Sequence, residues 1–287
     1  MDTLSLDIIP HICEHLWDAN SIRFLSTSKH YDQIKHHIFF NCWISIQKIA
    51  NLPYFHRFRN VTVPNMDGPF PKHVTHLSFH YEFNQHIGIR LPASITYLAF
   101  GAFFNKSVDD CIPEFIECLK FGDIFDQPIN IFLPESLTCI SFGRRFNRSL
   151  ECLKFSSITQ ITLGFYYDTS IDDCLPKTVT HLTLGSKFNQ PILQALPDSI
   201  THLTFGDHFN QSVEKCIPNF VTRLKFGYYY NYPIDNCIPT SIIRLTFGKM
   251  FNRSLDSVPS SVSVIYLHPD YQLQIPDRIS SKVTFRN

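Results

Sequence analysis

A 21-residue spacing of proline is the feature that most constrains this chain. Eight prolines keep this spacing, with one double interval in which Phe155 takes the missing place: Pro71, Pro92, Pro113, Pro134, Pro176, Pro197, Pro218 and Pro239. A second column of Asn or Asp, each preceded by Phe or Tyr, keeps the same period: Asn84, Asn105, Asp126, Asn147, Asp168, Asn189, Asn210, Asn231 and Asn252. A fixed period in this range is typical of stacked repeats, which bury apolar side chains only against neighbouring units. The sequence therefore predicts a solenoid with a long exposed surface.

The composition excludes several classes of protein. Lys plus Arg equals Asp plus Glu, 25 against 25, so no excess positive charge favours nucleic acid as a partner. No apolar run reaches the roughly 18 to 20 residues that span a bilayer, and the N-terminus is acidic where a signal peptide is basic. Nine cysteines form no short-domain framework and indicate buried thiols rather than disulfides. We expect a soluble intracellular protein of the cytoplasm that binds neither nucleic acid nor membrane.

The unit at residues 196–213 shows how one repeat, or rung, is built. Counting from Pro197, apolar residues fall at Ile200, Leu203 and Phe205, and the last two flank Thr204 as in a half-buried strand. The pattern predicts a right-handed stack of about nine to ten rungs. Its parallel strands are expected at residues 97–100, 118–121, 139–142, 181–184, 202–205, 223–226 and 244–247.

Three further columns predict how the chain leaves each strand. Gly206 and its equivalents are expected to form a corner through a positive φ angle or a tight bend. The aromatic residue of each rung is expected to fill the interior, as a buried column of Phe104, Phe125, Phe146, Phe188, Phe209 and Phe251. The Asn or Asp that follows is expected to bond backbone groups of its own rung and the adjacent rung.

Function is expected in the positions that vary between rungs. Side chains five and seven residues after each Pro face away from the core, and the two residues after each Gly are also variable. Aromatic and Arg side chains concentrate binding energy at interfaces. The predicted partner-binding residues are Tyr97, Arg144, Arg145, Phe165, Tyr166, His181, His202, Arg223, Tyr228, Tyr229 and Arg244. Alternatively, tyrosines such as Tyr228 only cover the Gly corner.

The repeat has a recognisable family pattern. The string LPxSITHLTFGxxFNQPI is nearly intact at residues 91–108, 133–150 and 196–213 and resembles the FNIP repeat, a relative of the leucine-rich repeat. The resemblance covers about residues 69–275 and implies a mainly β solenoid with parallel strands. Residues 51–68 then form a linker or N-terminal cap, and residues 276–287 a C-terminal cap.

Residues 1–50 lack the period and predict a small α-helical module. Apolar residues step by four from Leu4, and residues 18–21 offer an N-cap before a second stripe. This pattern resembles an F-box, which implies binding to the Skp1-like adaptor of a cullin ubiquitin ligase through Leu4, Ile8, Ile12, Leu16, Ile22, Leu25 and Tyr31. F-box and FNIP repeats occur together in protist and giant-virus families, so a viral protein would act in the host cell. The alternative is a helical cap that seals the first rung.

The chain offers little for catalysis or metal binding. Cys118 and Cys139 are neighbours in an outward column, but the nearest His of that column, His181, lies roughly 10 Å beyond Cys139. Other cysteines, such as Cys111, precede the prolines and are expected to be buried. No catalytic motif spacing is present.

We expect a non-enzymatic substrate-recognition subunit of a Skp1-cullin-F-box type ubiquitin ligase, without cofactor or metal. The alternative is a protein-binding or decoy solenoid that acts without a ligase. A carbohydrate- or lipid-binding solenoid would need aromatic or basic residues in register, and the sequence shows only scattered Tyr and Arg.

Overall fold

The computed structural model describes residues 9, 12–13, 16, 18–27, 29–193 and 195–286, which are dominated by one parallel sheet. Thirteen short strands of this described part stack in chain order, each hydrogen-bonded to the next. They are β1 Ile44–Ser45, β2 Asn60–Val63, β3 His76–Phe79, β4 Tyr97–Ala99, β5 Cys118–Lys120, β6 Cys139–Ser141, β7 Gln160–Thr162, β8 His181–Thr183, β9 His202–Thr204, β10 Arg223–Lys225, β11 Arg244–Thr246, β12 Val264–Leu267 and β13 Val283–Phe285. The predicted parallel solenoid is confirmed.

The strands form because one apolar residue at their centre points inward while its neighbours point outward. Leu203 is buried between the partly exposed His202 and Thr204, and it pairs in register with Leu224 of the next rung. Each repeat strand ends one residue earlier than predicted. Phe205 nevertheless donates its N–H to the carbonyl of Lys225 at 2.8 Å, so the backbone bonding continues into the corner.

The predicted aromatic column is confirmed as the centre of the core. Its side chains are 0 to 2% exposed, and the rings of Phe188 and Phe209 stack with centroids 6.2 Å apart. A second set of aromatic residues, at the ends of the strands, stacks beside the first column. The ring centroids of Phe205 and Phe209 are 4.1 Å apart. Tyr167 and Tyr230 take the place of Phe in two rungs and are equally buried. Aromatic stacking therefore runs along the solenoid and also within most rungs, except the two in which Leu163 and Leu184 replace the strand-end Phe.

The Asn and Asp column forms a hydrogen-bond ladder along the solenoid. The backbone N–H of Asn210 donates to Oδ1 of Asn189 at 2.9 Å, and Asn231 donates to Asn210 in the same way. The ladder runs from Asn84 to Gln272 without a break. These side chains satisfy backbone donors that the strands do not reach, which confirms the predicted bond to the adjacent rung.

Of the two expected forms of the glycine corner, the structure shows the tight bend, in which Phe209 donates its N–H to the carbonyl of Gly206 at 3.3 Å. None of the glycines at the strand ends has a positive φ, and one glycine of the described part does, Gly68, which precedes the first repeat proline, Pro71. A Cβ on Gly206 would lie 1.8 Å from the carbonyl oxygen of Gly185 and 2.8 Å from the Cα of Ser186. Glycine is therefore required because successive corners approach too closely for any side chain, not because the backbone adopts an unusual angle.

The sheet extends beyond the repeats at both ends. β1 lies within residues 1–50, β2 within 51–68 and β13 within 276–287, so the described sheet has more strands than the nine to ten rungs expected. One internal rung also departs from the pattern. Where Phe155 replaces proline, a 3-10 helix at Glu151–Leu153 precedes the strand, yet β7 keeps its register with β6 and β8.

Short helices flank the sheet, and most of them lie before its first repeat strand. The described helices are α1 Asp18–Leu25, α2 Lys29–Asp32, α3 Ile46–Ile49 and α4 Asp277–Ser280, with 3-10 helices at Gln33–His36, Phe55–Arg57 and Glu151–Leu153. Helix α1 begins at Asp18, so residues 18–21 belong to its first turn and are not the N-cap expected before Ile22. Ile9, Cys13, Leu25 and Ile34 form a small buried cluster separate from the solenoid core, and Ile38 contacts both.

Candidate functional site: the outer face of the sheet

The candidate site is the face of the sheet that points away from the core. We define the sheet face by two rows of outward side chains, at the first and third positions of each repeat strand. The first row is His76, Tyr97, Cys118, Cys139, Gln160, His181, His202, Arg223 and Arg244, and its successive members are register partners. The second row is Ser78, Ala99, Lys120, Ser141, Thr162, Thr183, Thr204, Lys225 and Thr246. Every member of both rows is partly or fully exposed.

The N-terminal part of the sheet face is aromatic. The rings of His76 and Tyr97 stack at 5.4 Å, and Trp43 packs edge-on against both. Lys120 lies 5.3 Å from the centre of the Tyr97 ring. Burial lowers the pKa of His76, and Glu117 opposes this shift. Trp43 lies outside the repeats, which is why its position beside Tyr97 could not be predicted from the period.

The middle of the sheet face holds two neighbouring thiols. Cys118 and Cys139 are register partners on β5 and β6, as the sequence predicted, and both are partly exposed. A hydrogen bond from the Cys118 thiol lowers the pKa of Cys139, and the Lys120 charge acts in the same direction against the effect of burial. The same hydrogen bond raises the pKa of Cys118. The pair therefore releases its first proton more readily than an isolated thiol, and its second less readily.

Most of the remaining cysteines are buried, as the sequence predicted. Cys111, Cys174, Cys216 and Cys237 are buried beside the proline turns, which confirms the prediction.

Within the described residues, no three His, Cys, Asp or Glu side chains lie together as metal ligands. No helix in that part of the chain is long and apolar enough to cross a membrane.

The C-terminal part of the sheet face carries His and Arg. The rings of His181 and His202 stack at 4.1 Å, and Arg223 and Arg244 follow on the next two strands. Burial, the His181 ring and the Arg223 charge together lower the pKa of His202. A depression of about 690 Å³ lies on this part of the face, with His202, Arg223, Tyr228 and Arg244 among its lining residues. These four predicted partner-binding residues are therefore brought together.

Tyr97 and His181 lie in the first row of the sheet face, and the remaining predicted partner-binding residues border the face at the corners. Arg144 lies 5.3 Å from the Phe165 ring centre, and Phe165 meets Tyr166 edge-on at 4.8 Å. The rings of Tyr228 and Tyr229 also meet edge-on, with their centroids 4.7 Å apart. All of these side chains, with Arg145, remain at least partly exposed. These side chains are therefore accessible to a partner.

Sequence reasoning missed several members of the C-terminal depression, among them three with long polar side chains. Lys249, Tyr266 and Arg286 line it together with Arg223 and Arg244. Tyr266 could have been found, because it lies between the buried Ile265 and Leu267 and must point outward. Arg286 follows β13, outside the repeats, so no period places it. The Tyr and Arg residues that look scattered in the sequence are therefore contiguous in this part of the structure.

The predicted adaptor-binding residues differ in their surroundings. Leu4 and Ile8 lie outside the described residues. Ile12, Leu16 and Tyr31 are partly exposed, and Ile22 is partly buried against the solenoid core. Leu25 is fully buried within the small helical cluster.

Comparisons with known proteins agree with the fold. The family model described as FNIP Repeat matches residues 66–103, 104–145, 188–216, 209–250 and 234–270. A solved structure, "The crystal structure of CroV588 a novel circular LRR protein structure", is similar with a TM-score of 0.75 and 34% sequence identity. The similarity covers 85% of this chain and 39% of that one, so this chain spans about two fifths of that protein. No curated protein matches the chain.

Proposed function

The chain belongs to the FNIP repeat family, and from this premise we propose that it is the substrate-recognition subunit of a Skp1-cullin-F-box type ubiquitin ligase. The repeat solenoid is suited to protein-protein binding, and in this proposal its sheet face holds the target protein. Residues 1–50 hold a Skp1-like adaptor. In this proposal the chain itself catalyses no chemical step. It raises the effective concentration of target lysines near the conjugating enzyme that the ligase carries.

The observation that supports this proposal is the separation of two hydrophobic clusters. The solenoid core is continuous from Phe40 to Ile279, whereas Ile9, Cys13, Leu25 and Ile34 pack into a small cluster of their own. A module with its own core can present apolar side chains to a second protein without disturbing the repeats. The half-exposed Ile12 and Leu16 are the side chains of this module best placed to do so.

The test is binding of a purified Skp1-like adaptor to the full chain. The Ile12→Asp/Leu16→Asp variant should lose adaptor binding, because it places charges in an apolar contact, while circular dichroism shows an unchanged β signal. The control is Leu193→Asp/Ile243→Asp, which alters two exposed apolar residues of the solenoid and should bind as the wild type does. Adaptor binding that is absent in the wild type, or unchanged in the first variant, would overturn the ligase role.

A second candidate function is a protein-binding or decoy solenoid that acts without a ligase. It is favoured by contacts that join the helices to the sheet, since Ile22 and Ile38 pack against the solenoid core and the rings of Phe40 and Phe58 stack at 4.9 Å. In this case residues 1–50 cap the first strands. The Ile12→Asp/Leu16→Asp variant would then lose its β signal, and the wild type would bind no adaptor.

A further inference from the structure

The charge of the sheet face is concentrated at its C-terminal end. From β3 to β7, Lys120 is the one charged side chain in the two rows that define the face. The depression over β9 to β13 is instead lined by five cationic side chains, Arg223, Lys225, Arg244, Lys249 and Arg286, against one carboxylate, Asp207. Because the whole chain has equal numbers of acidic and basic residues, this is a local concentration of positive charge. We call these five residues the cationic patch.

Most of the cationic patch has no acidic partner. Within the described part of the chain, Arg223, Lys225, Arg244 and Arg286 form no salt bridge, and Lys249 pairs with Asp270 at 3.4 Å. Arg223 and Arg244 are also register partners on adjacent strands. Like charges directly opposite each other in a sheet are unfavourable. This arrangement is unfavourable in the free protein, and an anion placed between the two guanidinium groups would relieve the repulsion.

The patch is partly fixed in position by an aromatic residue. The Arg286 guanidinium lies 3.7 Å from the centre of the Tyr266 ring and donates a hydrogen bond to the Tyr266 hydroxyl at 3.0 Å. The Arg244 guanidinium lies 6.0 Å from the same ring. Contacts of this kind restrict the side chains before a ligand arrives and so reduce the entropy lost on binding. Guanidinium groups held in this way match the geometry of carboxylates.

We propose that the cationic patch binds an extended acidic segment of a partner protein, rich in Asp and Glu. This rests on the proposed function, in which the sheet face binds a protein, and it names the chemistry of that protein. Five strands cover roughly 19 Å along the solenoid, which an extended peptide of about six residues spans. A free phosphate would reach only part of the patch. The zero net charge of the chain provides no wider field for a long nucleic acid.

The test uses fluorescence anisotropy with the purified full chain at low salt. The probe is a fluorescein-labelled peptide of alternating Glu and Ser, about eight residues long. A peptide with Gln in place of Glu is the neutral control. The Glu peptide should bind saturably and the Gln peptide should not. The Arg223→Gln/Arg244→Gln variant should bind the Glu peptide at least about tenfold more weakly.

The matched control is Arg90→Gln/Lys106→Gln, which removes the same charge from two exposed positions outside the sheet face and its corners and should change affinity by less than about twofold. Equal loss in both variants, or equal binding of both peptides, would overturn the site. Tighter binding of single-stranded RNA than of the Glu peptide would replace the proposed occupant with a nucleic acid. Light scattering that shows a dimer disrupted by Arg223→Gln/Arg244→Gln would replace it with a second copy of the chain. Because the peptide is added directly, failure to bind a Skp1-like adaptor leaves this result unaffected.

Discussion

The interior and the sheet face of the solenoid follow opposite rules, although their residues alternate along the same short strands. In the interior, each rung repeats nearly the same side chains, since Leu182, Leu203 and Leu224 pack directly on one another. On the sheet face, the neighbouring positions change from Tyr through Cys and His to Arg. What repeats is required by stacking, whereas what varies is free to serve binding. Substitutions should therefore separate stability from recognition.

The largest expected effect comes from deleting an interior ring. Phe209 is fully buried and stacks on Phe188, Phe205 and Tyr230. Phe209→Ala should lower the free energy of unfolding by roughly 3 to 5 kcal/mol, because it leaves a cavity that the neighbouring rungs cannot close. Urea denaturation of the variant and the wild type measures this difference in the free energy of unfolding. Phe220→Ala, at a ring of the next rung that is 66% exposed, is the control and should change stability by less than about 0.5 kcal/mol.

A smaller effect is expected at the glycine corner. Gly206→Ala places a methyl group against the backbone of the preceding corner, 1.8 Å from the Gly185 oxygen. We expect a loss of roughly 1 to 3 kcal/mol, as for other overpacked sites, measured as a lower denaturation midpoint. The control is Gly88→Ala, where the nearest atom to the new Cβ is 3.7 Å away. If both alanine variants behave alike, close approach is not what requires glycine at the corners.

One interior substitution should increase stability. Among the residues that the structure describes, the buried Tyr230 hydroxyl has no hydrogen-bond partner, whereas the Tyr167 hydroxyl donates to the carbonyl of Ser170 at 3.5 Å. Tyr230→Phe removes an unsatisfied polar atom and should raise stability by about 1 kcal/mol. Tyr167→Phe should give a smaller gain or none. The melting temperatures of the two variants provide the comparison, and a loss of stability in Tyr230→Phe would mean that its hydroxyl is satisfied in solution.

The interior and the sheet face should also differ in the reactivity of their cysteine thiols. Burial raises the pKa of the interior Cys111 to about 12, whereas the hydrogen bond from Cys118 lowers the pKa of Cys139 on the sheet face. The Cys139 thiolate should therefore be present at lower pH than an ordinary thiol, which titrates near about 8.5. Alkylation by iodoacetamide, followed by mass spectrometry, should modify Cys139 first.

Two results would check the cause of this selectivity. Cys118→Ala should shift the pH midpoint of Cys139 alkylation upward, because the hydrogen bond to the thiolate is lost. Cys111 should react only under denaturing conditions. A Cys139 midpoint that stays in the usual thiol range in both proteins would contradict the assigned interaction.

The repeat allowed the sequence to predict much of the interior and less of the surface. The Pro, Phe and Asn columns located the strands, the buried rings and the ladder, because each column has one physical role in every rung. The reason for Gly206 was only partly foreseen, since close approach of two backbones leaves no separate trace in the sequence. Trp43 and Arg286 lie outside the period. The cationic patch was missed because it joins residues from repeat and non-repeat strands.

The most direct test of the separation between scaffold and sheet face is the free energy of unfolding of one combined variant. His181→Gln/His202→Gln/Arg223→Gln/Arg244→Gln replaces four neighbouring first-row residues with glutamine, which already occupies that row at Gln160. Urea denaturation should place this variant within roughly 1 kcal/mol of the wild type, because these side chains are at least partly exposed and the substitution relieves repulsion between the two Arg. A loss comparable to that of Phe209→Ala, roughly 3 to 5 kcal/mol, would show that the sheet face is part of the scaffold and would contradict the account.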